Sequence, residues 1–113
     1  MLIYKIVHAA AWGAAEAAGS FTGAPIDLAD GYIHFSTAAQ VRETAAKHFA
    51  GMDDLMLVAV DAQALGPALK WEVSRGGDLF PHLYAPLDLA AVRWSVALRL
   101  GQDGRHVFPE GVA

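Results

Sequence analysis

The residue types with chemical capacity in this 113-residue chain are its five histidines and the acidic, hydroxyl and aromatic side chains that stand near them. His34 lies within Tyr32-Ile33-His34-Phe35-Ser36, where strand alternation puts Tyr32, His34 and Ser36 on one face and Ile33 and Phe35 on the other. Such a face can line a pocket; the plainer reading is a core histidine satisfied by one backbone hydrogen bond. His8 closes the first apolar segment directly before an alanine-rich run with Trp12, a position from which a side chain reaches a ligand or simply faces water. Glu72 follows Trp71 in a segment where charge is unexpected, and Arg75 comes three residues later. A carboxylate there is a general base, a ribose-hydroxyl acceptor or an ordinary edge charge. Leu79-Phe80-Pro81-His82-Leu83-Tyr84 is apolar and stiff, so it either plugs the core or walls a cleft with His82 and Tyr84. His48 and His106 read as solvated. No phosphate-binding loop, dinucleotide glycine fingerprint, nucleophile elbow or two-histidine zinc helix occurs in the sequence, so any site has to be assembled in space.

The elements that would do the assembling follow from periodicity. Residues 2–8 are β-branched and aromatic and predict a strand; Ala9 to Ala18 predicts a helix stopped by Gly19. Gly19 to Gly31, with three Gly, one Pro and two Asp, reads as an irregular loop. A short strand over 32–36 leads into Thr37-Ala38-Ala39-Gln40, which fits a capping box, and Val41, Ala45 and Phe49 give the following helix an apolar stripe up to Gly51. Leu55 to Val60 is a continuous apolar run, as in a central strand buried on both faces. Lys70 to Arg75 predicts another strand, and Pro81 assigns 79–84 to an edge or a loop. A helical turn at 88–91, a last strand over 92–100 and a peripheral tail from Gly101 complete the chain. The expectation is one α+β domain over residues 1–113, with a mixed or antiparallel sheet and two main helices.

Composition narrows the function classes. Hydrophobic residues make up 55% and charged residues 18%, with mean hydropathy +0.31, which favours a packed globule over disorder. A net charge of −4 and only eight scattered Lys and Arg argue against nucleic-acid binding, which needs a basic face. The absence of cysteine excludes disulfides, thiolate zinc sites and a cysteine nucleophile, and fits a cytoplasmic location. The first residues read as a strand rather than a leader, and no apolar run approaches the roughly 20 residues of a membrane span.

Three segments, Gly31-Tyr32-Ile33-His34-Phe35-Ser36-Thr37, Lys70-Trp71-Glu72 and Phe80-Pro81-His82-Leu83-Tyr84, together resemble the uncharacterised bacterial domain family DUF952 in order and spacing over nearly the whole chain. That family is distantly similar to the ADP-ribosyltransferase fold, where an early strand carries His or Arg, a second strand an aromatic or Ser/Thr element, and a later strand Glu. The resemblance implies His8 for the first position, with Trp12 in the helix after it also at the ligand, Tyr32 to Ser36 for the second, left open between Tyr32 and His34, and Glu72 for the third. It implies cleavage of the bond between nicotinamide and ribose, with NAD entering as substrate and no cofactor specified. His8 would bond a ribose hydroxyl or the pyrophosphate side, Tyr32 or Tyr84 would stack on nicotinamide, Ser36 and His34 would hold the ribose, and Arg75 would pair with phosphate. Glu72 would bond the 2′-hydroxyl and stabilise developing positive charge.

Three readings stay open from sequence. One is an NAD-utilising or NAD-derivative-binding transferase or glycohydrolase with Glu72 and His34 as catalytic residues and His82 at the ligand. A second is a small metal-dependent enzyme using His34, His82 and Glu72, which requires those side chains to converge. A third is a non-catalytic interaction module that docks a partner through the 79–84 segment. A small-molecule ligand is expected, with no membrane partner; pattern alone leaves the oligomeric state open.

Overall fold

The computed structural model describes residues 1–112, apart from the side chain of Arg75. In chain order its elements are β1 (Leu2–His8), α1 (Ala9–Ala18), β2 (Ser20–Phe21), α2 (Pro25–Asp30), β3 (Ile33–His34), α3 (Val41–His48), β4 (Leu55–Asp61), β5 (Leu69–Val73), β6 (Leu79–Leu83), β7 (Leu87–Asp88), β8 (Val92–Leu100) and β9 (His106–Val107). All strand pairs are antiparallel among the described residues. The chain is α+β, as expected.

β1 and β4 form the spine. They pair over seven residues, Leu2 opposite Asp61 through His8 opposite Leu55, and β4 continues onto β8 to give the order β1-β4-β8-β9. Alternation sends Ile3, Val7, Val58 and Val60 to one face, where Trp12, Phe21, Ile33, Phe35, Leu83 and Leu87 cover them. Tyr4, Ile6, Leu57 and Ala59 face the other side and meet Val41, Ala45, Leu98 and Val112. Burial on both faces is why 55–60 reads as an unbroken apolar run.

A second sheet, β3-β6-β5, is joined to the first through one splice. After pairing with β6, with Ile33 opposite Leu83 and His34 opposite His82, the chain crosses to β1 at Ser36. There Tyr4 N–H donates to Ser36 O at 2.8 Å and Ser36 N–H donates to Tyr4 O at 2.9 Å. The two sheets diverge beyond this point.

Several sequence expectations change. The segment 19–31 is not an irregular loop: it holds β2, paired with β7, and the six-residue α2. Pro25 starts α2 with φ already set, and Asp27 reaches back to accept from Ala24 N–H at 2.8 Å. Gly31 ends it at φ 87°, a left-handed conformation suited to glycine, with its N–H on Asp27 O. The described helices therefore include α2 beside the expected α1 and α3. β6 is central rather than at an edge, despite Pro81. Proline is accommodated because its backbone faces β3, where its carbonyl accepts from Phe35 N–H at 3.0 Å and the two-residue β3 soon leaves for β1. The tail is not peripheral either, since β9 extends the first sheet and Val112, 4% exposed, belongs to the second core cluster.

Candidate functional site

A cleft of about 570 Å³ lies among β1, the second sheet and α3, and its walls include Lys5, His8, Asp30, Tyr32, His34 and His82. Lys5 occupies the middle of β1 on the face that packs against the first core cluster, and it is 6% exposed. A buried ammonium needs a partner, and α2 supplies it: Nζ lies 3.0 Å from Asp27 Oδ1 and 2.9 Å from Oδ2. Burial pushes the Lys5 pKa down, against the opposing pull of the Asp27 charge and hydrogen bond.

Asp27 is the most heavily bonded carboxylate of the site. Oδ1 accepts from His34 backbone N–H at 3.1 Å and sits 2.6 Å from His34 Nδ1, while Oδ2 accepts from Ala24 N–H. Burial alone would raise its pKa, but the His34 hydrogen bond, the Lys5 charge and the Ala24 N–H outweigh it and hold the carboxyl at about 2. An ionised carboxylate only accepts, so His34 Nδ1 is the donor of that short bond. The other ring nitrogen, Nε2, lies 3.0 Å from Asp30 Oδ2 at the cleft rim.

A second carboxylate–histidine pair comes from β5 and β6. Glu72 Oε1 accepts from His82 Nδ1 at 2.8 Å and from Tyr84 OH at 2.6 Å. The bonds from Tyr84 and His82 keep Glu72 below the usual carboxylate range, and the Glu72 bond pushes the Tyr84 phenol up to about 12. Tyr32 joins the two pairs. Its ring centroid lies 4.1 Å from His82, 4.6 Å from His34 and 5.2 Å from Tyr84, and the two imidazoles are 5.5 Å apart. Burial, followed by the charges of Asp30 and Glu72, raises the Tyr32 pKa.

Tyr32, His34, Glu72, His82 and Tyr84 are thus brought into one cluster. Tyr32 and His34 occupy the cleft wall together, so neither displaces the other from it. Ser36 lines the cleft from a buried position, its Oγ 2.8 Å from Thr44 Oγ1. His8 stands exposed at the end of β1 with its ring 6.4 Å from Phe49, on the rim rather than in the cluster. Glu72 lies on β5, beyond β6 from β3, and neither it nor Tyr84 lines the cleft, so Glu72 meets the cleft through His82. Trp12 is a core residue, 3% exposed and packed on Phe21, because α1 turns its sparse apolar face inward. The Arg75 side chain lies outside the described residues. His48, expected to be solvated, is exposed yet borders the cleft, and His106 donates from Nε2 to Met52 O at 2.8 Å.

Sequence reasoning missed Lys5, Asp27 and Asp30. A lysine centred in an apolar strand and an aspartate three residues after the helix-starting Ala24-Pro25 were the available signals. Among the described residues, no three or more His and acidic side chains are grouped to hold a metal ion. His34 and His82 instead direct Nδ1 to separate carboxylates.

Residues 6–95 match the family described as "Protein of unknown function (DUF952)". This chain belongs to that family. Within it, the crystal structure of protein CC0527 from Caulobacter crescentus is 50% identical to this chain, covers 99% of it and 98% of that protein's chain, and superposes with a TM-score of 0.94. The solution NMR structure of CC0527 matches at 54% identity over 92% of this chain and 90% of its own, with a TM-score of 0.83. No curated protein matches the chain. The DUF952 description assigns no activity, so function has to be argued from the cluster itself. No helix among the described residues is long and apolar enough to cross a membrane.

Proposed function

We propose that the cleft between β1 and the second sheet takes an NAD-derived ligand and that this DUF952 domain acts on its nicotinamide–ribose bond. One arrangement supports the reading: two imidazoles, each backed by a carboxylate at 2.6 and 2.8 Å, flank the Tyr32 ring at the wall of a cleft large enough for a nucleoside. The ligand class comes from the resemblance read in the order of His8, Tyr32 to Ser36 and Glu72 along the chain, which is that of the site positions in the ADP-ribosyltransferase fold.

In the proposed step the bond between C1′ and the nicotinamide nitrogen breaks, its electron pair leaves with nicotinamide, and an oxocarbenium-like ribosyl forms. Asp30 and Glu72 place negative charge near the cluster, which favours that cation. An acceptor hydroxyl or water then attacks C1′, and its proton passes to His82. With Nδ1 held by Glu72, Nε2 is the nitrogen of His82 that takes it. Glu72 is therefore a positioning residue for His82 in this scheme, rather than a direct contact of the 2′-hydroxyl. Tyr32 offers the stacking surface, Ser36 and His34 hold the ribose, His34 by exchanging Asp30 for a ribose hydroxyl at Nε2, and His8 meets the outer part of the ligand at the rim. The metal reading requires convergence on one point, and the separate carboxylate partners of His34 and His82 disfavour it.

Titration with NAD, ADP-ribose and nicotinamide, followed by histidine NMR and by chromatography of released nicotinamide, tests the proposal. Saturable shifts at His34 and His82 are expected, with nicotinamide release that falls about 10²–10⁴-fold in His82→Ala. No shift at millimolar ligand would overturn it.

A further inference from the structure

The outer edge of β5 carries a second kind of information. The bonds flanking the β5–β6 ladder fix which β5 residues face inward: Tyr84 N–H donates to Ala68 O and Ser74 N–H to Asp78 O, both at 2.9 Å. The register between them places Lys70 opposite His82 and Glu72 opposite Phe80. Hydrogen-bonded pairs alternate along an antiparallel ladder, so Lys70 and Glu72 turn their backbone groups to β6. Leu69, Trp71 and Val73 then turn theirs outward, on a strand that ends the sheet order β3-β6-β5, with Leu69 N–H donating to Gly66 O of the preceding turn. The side chains along this edge are open as well, with Trp71 40%, Val73 69% and the neighbouring Leu79 51% exposed.

Edge strands that stay single are commonly blunted by proline, a bulge, shortness or a charge such as lysine; β5 has five regular residues with no proline or bulge, and its Lys70 is matched by Glu72 two residues on. Its sequence, Leu69-Lys70-Trp71-Glu72-Val73, is instead complementary to itself when reversed. Antiparallel pairing with a second copy about Trp71 sets Trp71 against the partner's Trp71 and Leu69 against the partner's Val73. It also sets Lys70 against the partner's Glu72. Trp71 N–H and C=O, Val73 N–H and Leu69 C=O all find partners, giving about four hydrogen bonds, while Leu69 N–H stays on Gly66 O. The Lys70 and Glu72 pairs then fall at the non-hydrogen-bonded positions, where Cα atoms approach to about 4.5 Å and opposite charges are favoured.

We propose that this domain forms a two-fold dimer through antiparallel pairing of β5 with β5 of a second copy, centred on Trp71. The symmetry is isologous, since each residue that one copy offers is met by its complement on the other. The dimer also brings the partner's Lys70 against Glu72, the carboxylate that orients His82, so a second copy contributes a charge to the candidate site.

Sedimentation equilibrium across a dilution series tests the proposal. The expected result is a reversible dimer that is lost in Trp71→Pro, which removes only an outward N–H and spares the β5–β6 ladder. Lys70→Glu, which sets two like-charge pairs across the joint, is expected to weaken association by at least about tenfold. Amide spectra of β6 establish that each variant keeps its fold. A monomer up to millimolar protein, or a dimer that both variants leave intact, overturns the proposal.

Discussion

The two carboxylate–histidine pairs of the cleft are inverted with respect to solvent. In the Asp27–His34 pair the carboxylate side chain is 1% exposed and the imidazole 31%, whereas in the Glu72–His82 pair the imidazole is 4% exposed and the carboxylate 38%. The first carboxylate is enclosed with a lysine and serves structure as much as chemistry: it neutralises Lys5, starts α2 and fixes the ring of His34. The second is open, shared with a phenol, and available to solvent or a neighbour. One histidine is thus anchored from beneath and the other from outside, although the two hydrogen bonds differ little in length.

The largest way to sharpen this contrast is removal of one charge from each pair. Asp27→Asn strands the buried Lys5 ammonium, and a loss of about 3–5 kcal/mol is expected by denaturant unfolding. Glu72→Gln is expected to leave the unfolding midpoint near that of the parent. Combining Asp27→Asn with Lys5→Met should recover part of the loss, because no isolated charge then remains. Equal costs for Asp27→Asn and Glu72→Gln would break the comparison.

A smaller effect is the dependence on acid. The Asp27 carboxyl titrates at about 2 in the fold against an ordinary 3.8. A depressed carboxylate pKa contributes stability that is present above the ordinary value and lost as pH falls through the folded one. Roughly 2 kcal/mol should therefore disappear between about pH 4 and pH 2, read from unfolding midpoints. Lys5→Met should flatten that window, since the Lys5 charge is one of its causes.

The smallest effect lies on the open pair. The Tyr84 phenol is held at about 12 by Glu72, and Glu72→Gln should return it towards its ordinary 10.0 in an alkaline NMR or ultraviolet titration. An unchanged Tyr84 would mean that the open carboxylate does not govern its surroundings.

Much of this arrangement was legible in the chain. β1, α1, β4 and β8 follow from apolar periodicity, and the grouping of Tyr32, His34, Glu72, His82 and Tyr84 follows from the three segments that resemble the family. The enclosed pair was not legible. Asp27 lies in a Gly- and Pro-containing stretch whose turn signals masked a six-residue helix, and propensity is weak over so short a span. Lys5 looks like an ordinary strand charge because alternation cannot say which face will be covered. The resemblance implies a ligand role for Trp12, but a helix turns each residue about its axis, and this one points into the core. The central place of β6 was hidden by Pro81, whose missing donor happens to face the strand that departs earliest.

The splice at Tyr4 and Ser36 is the slenderest backbone connection described above. Two amide–carbonyl links tie β1 to the segment after β3 at that point, while the ladder between β1 and β4 runs for seven residues. Two isolated links protect their amides less than a continuous ladder does, so the seam is expected to open locally before either sheet unfolds. The amide hydrogens of Tyr4 and Ser36 would then exchange with solvent deuterium ahead of those in the β1–β4 ladder, which makes them a built-in gauge of how often the cleft widens enough to admit a guest.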